Sequence, residues 1–415
     1  MNLLICLSDP AQWSSFYEYK LTGGHLSPTE QRELAAFIQA EGYREPIEAI
    51  TQGKPFAPPR KSCISKMHSD KKRIVYTYAP AENWVLKLLT FLLQQKYDRV
   101  FAPNLYSFRP HLGVKNAIRE MTCTPRVNAM WSYKVDIHNY FNSVPIGRML
   151  PLLQQTLSDE PILYRFLEAL LTDPLVEDHG TLIQEEKGIM AGTPLSTFLA
   201  NLYLSPMDHF FAEKGVPYAR YSDDILLFEP SQSALQQDVL LIRQFLSEAG
   251  LSVNPKKEQY TAPGEPWSFL GIRCQNGTID LSPVSVEKLK AKMRRKTRAL
   301  MRWKARKGAD GPRAARAFIR TFRRKLFENP VKQELTWARW YFPLITTADS
   351  LKILDAYSQQ CIRYLATGTR TRAAYNFRYE DMKALGYISL VNRYWAFRSG
   401  EPISGQPEVA ARATD

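Results

Sequence analysis

The alternation of apolar and polar residues predicts a mixture of helices and short strands in the N-terminal part of the chain. Residues 81–97 place Trp84, Leu88 and Leu92 at helical spacing, so we expect a helix that buries one broad face. Residues 133–144 begin with a strand pattern and end in turn-forming Asn and Ser, and a second helix is expected from Ile146. This mixture of helices and antiparallel strands indicates the α+β class.

A hairpin is predicted where two adjacent acids interrupt an apolar run. In ARYSDDILLFEP, residues 219–230, the apolar halves flank Ser-Asp-Asp as two strands flank a turn. Aspartate is common in ordinary turns because its side chain caps local backbone amides. Asp223 and Asp224 alone therefore fit both an ordinary turn and a charged site.

Further helices are predicted after the hairpin. One is expected to start with a capping box formed by Ser233 and Gln236. After Pro283 the pattern is helical almost throughout, with breaks at residues 307–313 and 366–372. We therefore expect a separate, mainly α-helical C-terminal domain.

Most of the net charge lies in that helical domain. The chain has 55 Lys and Arg against 41 Asp and Glu, a net charge of +14. Residues 284–340 hold 19 basic and 4 acidic residues, a local charge of +15, which leaves 36 basic and 37 acidic residues elsewhere, or −1. A basic stripe of this kind attracts nucleic acid through phosphate contacts and counterion release, although a solvated helix face is also charged.

Other classes of protein fit the composition poorly. No apolar run approaches the roughly 18 residues that a membrane span requires, and the start MNLLICL lacks the basic segment of a secretory signal. The five cysteines are scattered without a CxxC pair, which argues against a zinc site or a disulfide framework. We expect a cytoplasmic protein with no membrane partner and a polar tail, residues 404–415, that is disordered.

A third acid lies at the end of another predicted strand. Asp136 precedes Asp223 by 87 residues, so only the fold could bring the two together. Carboxylates beside a buried sheet have raised pKa values unless cations neutralise them. Two Mg²⁺ ions about 4 Å apart, held by such carboxylates, can activate a 3′-hydroxyl and stabilise a leaving pyrophosphate. The pattern indicates a divalent-metal site if the fold assembles it.

Seven motifs between Lys71 and Cys274 resemble, in the family's order, those of the reverse transcriptases, in particular the bacterial group II intron-like branch. The palm motifs are VDIHNYFNSV, GIMAGTPLSTFLANLYL, YSDD, LSVNPKKEQY and the primer grip FLGIRC, and the fingers motifs are KKRIVYTYAP and YSFRPHLGVKNAI. The resemblance implies a right-hand polymerase fold, with fingers and palm of antiparallel sheet plus helices and a basic, mainly α-helical thumb. The implied domains are 1–132 for the N-terminal region, fingers and part of the palm, 133–282 for the palm with inserted fingers elements, 283–403 for the thumb and 404–415 for the tail.

The resemblance implies roles for the acids. Asp136 and Asp223 would bridge two Mg²⁺ ions, or Mn²⁺ in their place, with the carbonyl of Ile137 as a further ligand. Asp224 would have a supporting role, because neighbouring residues on a strand point to opposite faces. Lys257 would donate a proton to pyrophosphate, although a solvated lysine fits PKK nearly as well.

Binding positions are implied in the same way. Lys71 and Arg73 would hold the triphosphate of a dNTP, Phe141 would exclude a 2′-hydroxyl, and Ala191 and Gly192 would position the nucleotide. Phe269, Leu270 and Gly271 would form the primer grip. The residues expected to contact template–primer phosphates are Lys288, Lys292, Arg295, Lys296, Arg302, Trp303 and Arg306.

Three positions depart from the intron-type pattern. Met190 and Ala191 replace the usual Pro-Gln, which puts one nucleotide contact in doubt, and Asn142 replaces a common aspartate. These departures make the chain look more like the defence-associated, antiphage reverse transcriptases. That likeness implies a bacterial enzyme that copies a structured noncoding RNA into cDNA. It implies no oligomeric state.

Two other functions fit the sequence. An abortive-infection-type relative would synthesise DNA without a template or from a protein primer. An RNA-binding maturase or scaffold would leave the polymerase site idle, against which the intact acidic triad argues. No segment resembling an RNase H or a Cys/His-rich endonuclease module is evident, so self-encoded DNA cleavage is not expected.

Overall fold

A computed structural model of the protein describes residues 2–22, 26–65, 72–328 and 336–403. Lys71 and the tail at 404–415 lie outside the described residues. The chain divides into two compact units, residues 1–265 and 266–415. The assignment of fingers, palm and thumb to particular ranges stays a prediction.

The first unit combines helices with two sheets. Its helices are α1 Leu3–Ser8, α2 Pro10–Thr22, α3 Pro28–Gln39, α4 Arg44–Thr51, α5 Pro80–Lys96, α6 Val114–Cys123, α7 Tyr140–Ser143, α8 Ile146–Thr156, α9 Pro161–Thr172, α10 Ser196–Tyr203, α11 Ser205–Lys214 and α12 Gln232–Glu248. Its strands are β1 Arg60–Ser65, β2 Lys72–Thr77, β3 Trp131–Asp136, β4 Leu175–Asp178, β5 Thr181–Gln184, β6 Tyr218–Tyr221, β7 Asp224–Glu229 and β8 Gln259–Thr261.

One sheet of this unit carries the predicted metal-binding acids at its end. Strands β6, β7, β3 and β8 lie side by side in that order, and each neighbouring pair is antiparallel. The pairing of β3 with β7 places Asp136 directly opposite Asp224. Val135, Ile225 and Leu227 are buried in the core beneath the sheet. The buried register therefore fixes which residues meet at the strand ends.

The second sheet lies beside the chain segment that precedes α10. Strands β2, β1, β4 and β5 form it, with β1 antiparallel to β2 and parallel to β4. The amide of Tyr76 in β2 donates to the carbonyl of Ala191 at 2.8 Å. This bond ties the glycine-containing loop at 188–193 to the sheet.

The second unit is a small sheet followed by packed helices. It contains β9 Trp267–Phe269, β10 Ile272–Gln275, β11 Thr278–Leu281, α13 Pro283–Lys307, α14 Gly311–Leu326, α15 Trp337–Tyr341, α16 Asp349–Thr367, α17 Tyr379–Ala384 and α18 Leu390–Arg398. Helix α13 packs against α14 and α16, and buries Met293 and Leu300. Among the described residues, no helix is both long and apolar enough to cross a membrane.

The structure confirms the α+β class and most of the predicted elements. Helices α5 and α8 and the β6–β7 hairpin lie where the patterns place them. Two details are wrong. Residues 140–143 were predicted as a turn and form the short helix α7. Helix α12 was predicted to begin with a capping box at Ser233, but its cap is the Ser231 hydroxyl, which accepts from the amide of Ala234. The helical breaks near residues 307 and 366 are confirmed by the ends of α13 and α16.

Candidate active site

Asp136 and the adjacent pair Asp223 and Asp224, which are distant in sequence from it, lie where β3 and β7 end. Asp136 is the last residue of β3 and Asp224 is the first residue of β7, and the two face each other in register. Asp223 occupies the β6–β7 turn, which Ser222 opens with a left-handed φ of 59°. The amide of Ile137 donates to the carbonyl of Asp223 at 2.9 Å. The fold thus brings together the four residues predicted to hold metal ions.

The electrostatics of these acids are unfavourable without a cation. Burial, followed by the negative charge of Asp136, raises the pKa of Asp223 above its usual value, although Lys257 and Arg73 partly offset the shift. Burial and then the charge of Asp223 raise the pKa of Asp224 to about 6. A divalent cation would relieve both effects, so the donor chemistry fits the predicted metal site.

Lys257, predicted to donate a proton, is paired with one of the three aspartates. Its ammonium group forms an ion pair with the carboxylate of Asp136. Within the part of the chain that the structure describes, no three His, Cys, Asp or Glu side chains converge closely enough to hold a metal ion as they stand. Lys257 therefore supplies a positive charge beside Asp136 in this arrangement.

A buried ion pair joins the β6–β7 hairpin to helix α11. The sequence patterns did not predict it. Arg220 in β6 and Asp208 in α11 are both fully buried, and the Arg220 Nη2 lies 2.6 Å from the Asp208 Oδ2. Burial alone would lower the pKa of Arg220, but Asp208 holds it above its usual value. Tyr218 donates to the same carboxylate at 3.0 Å. The pair anchors the strand that leads into Ser222 and Asp223.

Arg220 also holds backbone groups in place. Its Nη1 donates to the carbonyl of Ser222 at 3.2 Å, and its Nη2 donates to the carbonyl of Asn201 in α10 at 3.1 Å. The Asn201 side chain in turn accepts from Ser107 at 2.9 Å. One guanidinium therefore connects the Ser-Asp-Asp turn to two helices. The only sequence signal was the Arg in RYSDD, inside an apolar strand.

Three of the predicted nucleotide-binding residues line one cavity. Arg73, Phe141 and Gly192 border a cavity of about 1060 Å³, together with Tyr221 of the hairpin. The guanidinium carbon of Arg73 lies 5.9 Å from the centroid of the Phe141 ring, within the range of a cation–π contact. Ala191 is buried and does not line this cavity.

The Asn142 side chain joins the loop at 188–193 to β2. The Asn142 amide accepts from the Ala191 N–H at 2.9 Å and donates to the Ile74 carbonyl at 3.2 Å. An aspartate could not make the second bond, since it has no donor when ionised. Gly192 has a φ of 101°, and a Cβ there would lie 2.9 Å from the Val75 Cβ. Close packing on β2 therefore demands glycine.

The predicted primer-grip residues form the turn between β9 and β10. Phe269 is buried, and Leu270 and Gly271 have positive φ angles of 49° and 87°. The Gly271 carbonyl accepts from the amide of Ser282 and the hydroxyl of Ser285, each at 2.9 Å. The turn is thereby fixed to the start of α13. Its role with a primer stays a prediction.

Most predicted phosphate contacts lie on the solvent side of α13. Lys296 and Trp303 are half-buried. The other five residues, spaced by four, three, seven and four positions, are exposed on one face: Lys288, Lys292, Arg295, Arg302 and Arg306. We call these five residues the basic stripe. At 100° per residue they fall within one side of the helix, opposite Met293 and Thr297.

An antiparallel sheet with acids at paired strand ends, surrounded by helices, defines the α+β class of right-hand polymerases. Residues 66–274, half of the chain, match the family described as "Reverse transcriptase (RNA-dependent DNA polymerase)", and the chain belongs to this family.

Similar proteins include intron and retron proteins. The group II intron-encoded protein LtrA of Lactococcus lactis subsp. cremoris is 25% identical over 200 residues, 46% of this chain and 32% of LtrA. The retron Ec86 reverse transcriptase of Escherichia coli is 21% identical over 234 residues, 54% of this chain and 65% of that protein. The chain thus spans less than two thirds of these relatives.

Among solved structures, telomerase from Candida albicans in complex with a TWJ fragment of telomeric RNA is similar, with a TM-score of 0.44 and 12% identity. The similarity covers 81% of this chain and 67% of that one.

We predict that Arg220→Met lowers the free energy of unfolding by about 3–5 kcal/mol, because it leaves the Asp208 carboxylate buried and unpaired. Adding Asp208→Asn should restore at least half of the loss, since no unpaired charge remains. Urea unfolding followed by tryptophan fluorescence measures both. Arg44→Met, which breaks the exposed pair with Glu41, is the matched control and should have no measurable effect. Wild-type stability in Arg220→Met would contradict this account.

We predict that Asp224→Asn stabilises the metal-free protein above pH 6. The folded-state pKa of about 6 exceeds the ordinary 3.8, so wild-type stability falls as pH rises through that interval and stays lower above it. The expected gain is on the order of 1–3 kcal/mol at pH 8 and vanishes below pH 4. Thermal melts in EDTA across this range measure it, with the exposed Glu213→Gln as control. A gain that is equal at all pH values would exclude this cause.

Proposed function

We propose that the protein is an RNA-directed DNA polymerase whose active centre is formed by Asp136, Asp223 and Asp224. The observation that carries this proposal is the β3–β7 register, which brings Asp136 opposite Asp224 from a distant part of the chain. A structural turn would not require a third acid at this point. Membership of the reverse transcriptase family supports the same reaction.

Divalent metal ions are the cofactors that this site suits. Reverse transcriptases generally use divalent metals, and the proposed ions are two Mg²⁺, with Mn²⁺ as a substitute. When bound, they would supply activation of the primer 3′-hydroxyl and neutralisation of the leaving pyrophosphate. Asp136, Asp223 and the carbonyl of Ile137 would hold these ions, and Asp224 would have a supporting role. Lys257, displaced from Asp136, would be free to give a proton to pyrophosphate.

The cavity beside the hairpin is the proposed dNTP site. Arg73 is exposed at its edge and suits bidentate contact with phosphate. Phe141 presents its ring to the same space, where it would pack against the sugar and exclude a 2′-hydroxyl. Gly192 has no side chain, so its backbone lines the cavity directly. Ala191 lies behind the wall, so its backbone positions Gly192 and its side chain makes no nucleotide contact.

The basic stripe is the proposed contact surface for template–primer phosphates. Its exposed cations would position a duplex without reading its sequence. The template is proposed to be a structured noncoding RNA, recognised by shape and single-stranded features, and the product its cDNA. An antiphage role is the proposed biological setting, supported by the departures at Met190, Ala191 and Asn142 from the intron-type pattern.

We predict that replacing both Asp223 and Asp224 with alanine reduces DNA synthesis by at least about 1,000-fold, because the carboxylates that hold the metal ions are removed. Incorporation of labelled dNTPs with copurified RNA and on a defined RNA template with a DNA primer measures the loss. Glu213→Gln, an exposed change on the same unit, should retain wild-type synthesis. Undiminished synthesis by the double variant would refute the metal-site proposal.

Sequencing of the products and of the copurified RNA distinguishes the competing functions. Products complementary to the RNA support templated synthesis, whereas products without a complement indicate template-independent addition. DNA that stays covalently attached to the polypeptide indicates a protein primer. In a host challenged with phage, loss of protection by the double variant would support the antiphage role.

We predict that Phe141→Ala raises the ratio of rNTP to dNTP incorporation by about tenfold or more, since the side chain that would collide with a 2′-hydroxyl is removed. Single-nucleotide extension with matched rNTP and dNTP series measures the ratio. Phe108 borders the same cavity, and Phe108→Ala is the matched control, whose ratio should stay at the wild-type value. An unchanged ratio in Phe141→Ala would remove this residue from sugar selection.

A further inference from the structure

The second unit contains a cavity that none of the assigned positions uses. It has a volume of about 330 Å³ and lies between α16, one residue of α13 and the segment that follows α16. That segment is the predicted helical break near residue 366, and it continues into a short 3₁₀ helix at Arg372–Asn376. The size is at the lower end of ligand pockets, which span roughly 300–1,000 Å³.

Aromatic rings and arginines alternate around this cavity. The Arg363 guanidinium carbon lies 4.7 Å from the centroid of the Tyr375 ring, and that of Arg370 lies 4.6 Å from the Tyr364 ring. All four residues line the cavity. Tyr375 is 62% exposed, so one ring face is available to a ligand. The two pairs form stacking surfaces whose positive charges lie next to them.

The charge around the cavity is of one sign. Residues 363–379 contain four arginines and no acidic residue. In residues 336–403, the guanidinium groups of Arg363 and Arg370 make no ion pair with a carboxylate, although Arg363 donates to the Phe377 carbonyl at 3.3 Å. Uncompensated guanidinium groups beside aromatic faces attract an anion that also carries a flat ring. A nucleotide meets both conditions.

The neighbouring face of α13 adds the cation Arg294 to this field, whereas Lys290 forms an ion pair with Glu287 at 3.0 Å. Arg294 donates from its Nε to the hydroxyl of Tyr357 at 3.2 Å, and the Lys290 ammonium lies 5.7 Å from the Tyr357 ring. Tyr357 lines the cavity as well. At 100° per residue, Lys290 and Arg294 are turned roughly 120–160° from the centre of the basic stripe. The cavity is therefore a second surface, separate from the predicted duplex contact.

We propose that this cavity binds one unpaired nucleotide, with its base stacked on Tyr364 or Tyr375 and its phosphate held by Arg363 and Arg370. A base inside a duplex is covered on both faces by its neighbours, so the cavity selects single-stranded nucleic acid or a free nucleotide. The inference rests on the proposed function and deepens it by giving the second unit a contact with single-stranded RNA. It does not depend on catalysis.

The test measures binding with the full-length protein, freed of copurified nucleic acid and without dNTPs or divalent metal. Fluorescence anisotropy compares a short labelled oligoriboadenylate with a blunt RNA–DNA duplex at one ionic strength. Replacing Tyr364 and Tyr375 with alanine should weaken oligoriboadenylate binding about 5- to 150-fold, the range of one lost base stack, and change duplex binding less than about twofold. The Phe replacements at both positions should retain wild-type affinity, because the rings remain.

Matched variants make the outcome decisive. Lys292→Gln with Arg295→Gln, on the basic stripe, should weaken duplex binding and preserve the difference between the tyrosine variants. Displacement of the oligoriboadenylate by free ATP at micromolar concentration would identify a free nucleotide as the ligand, and its absence would identify the nucleotide within a strand. Equal loss on both probes, or unchanged oligoriboadenylate binding, would overturn the proposal.

The same measurement separates this inference from the polymerase proposal. The variant with alanine at Asp223 and Asp224 should bind the oligoriboadenylate with wild-type affinity, because these residues lie in the other unit. Loss of synthesis with retained binding supports both proposals. Retained binding with undiminished synthesis contradicts the metal site alone.

Discussion

The buried ion pair between Asp208 and Arg220 is the constraint on which the candidate active site depends. Both side chains are fully buried, so neither charge has water to stabilise it, and each requires the other. Because Asp208 fixes Arg220, the hydrogen bonds from Arg220 to the carbonyls of Ser222 and Asn201 hold these two backbone groups in place. Moving the turn that carries Asp223 would break the bond from the buried Arg220 to the Ser222 carbonyl, which opposes displacement of the turn.

This rigidity opposes the repulsion between the acids. The charge of Asp136 contributes to the raised pKa values of Asp223 and Asp224, after burial, and a flexible turn would relax by moving the acids apart. The β3–β7 register and the Arg220 bonds prevent that movement, so the site stores unfavourable charge at the expense of stability. Lys257 compensates part of it through Asp136. A lysine has a flexible stem, so under the proposed function its ammonium group could withdraw from Asp136 when a metal ion binds.

The sequence predicted the parts of this site that depend on local patterns. Alternating apolar residues around Ser-Asp-Asp located the hairpin, and the order of the motifs associated Asp136 with it. Long-range partners had no such signal. Asp208 lies in SPMDHFF, where an acid in the first turn of a helix is ordinary, and only the packing of α11 on β6 shows that it is buried. Asn142 likewise had no local sequence signal, because its side-chain amide acts by bonding two backbone segments that are distant in sequence, at Ala191 and Ile74. At the start of α12 the Ser-x-x-Gln spacing was misleading, since Ser231, two residues earlier, has the extended backbone that a cap requires.

The charged groups of the two units differ in their exposure to solvent. In the first unit the Asp208–Arg220 pair is fully buried and Asp136 is buried, and hydrogen bonds fix the Arg220 guanidinium to the Ser-Asp-Asp turn. In the second unit the charges of the basic stripe are exposed, and under the proposal they would act through their sum to position a polyanion without a unique geometry. The Arg363–Tyr375 and Arg370–Tyr364 pairs are intermediate between these cases. Their guanidinium carbons lie 4.7 and 4.6 Å from the ring centroids beside a cavity, so under the proposal they would hold a single unpaired nucleotide, which the basic stripe could attract but could not distinguish from duplex.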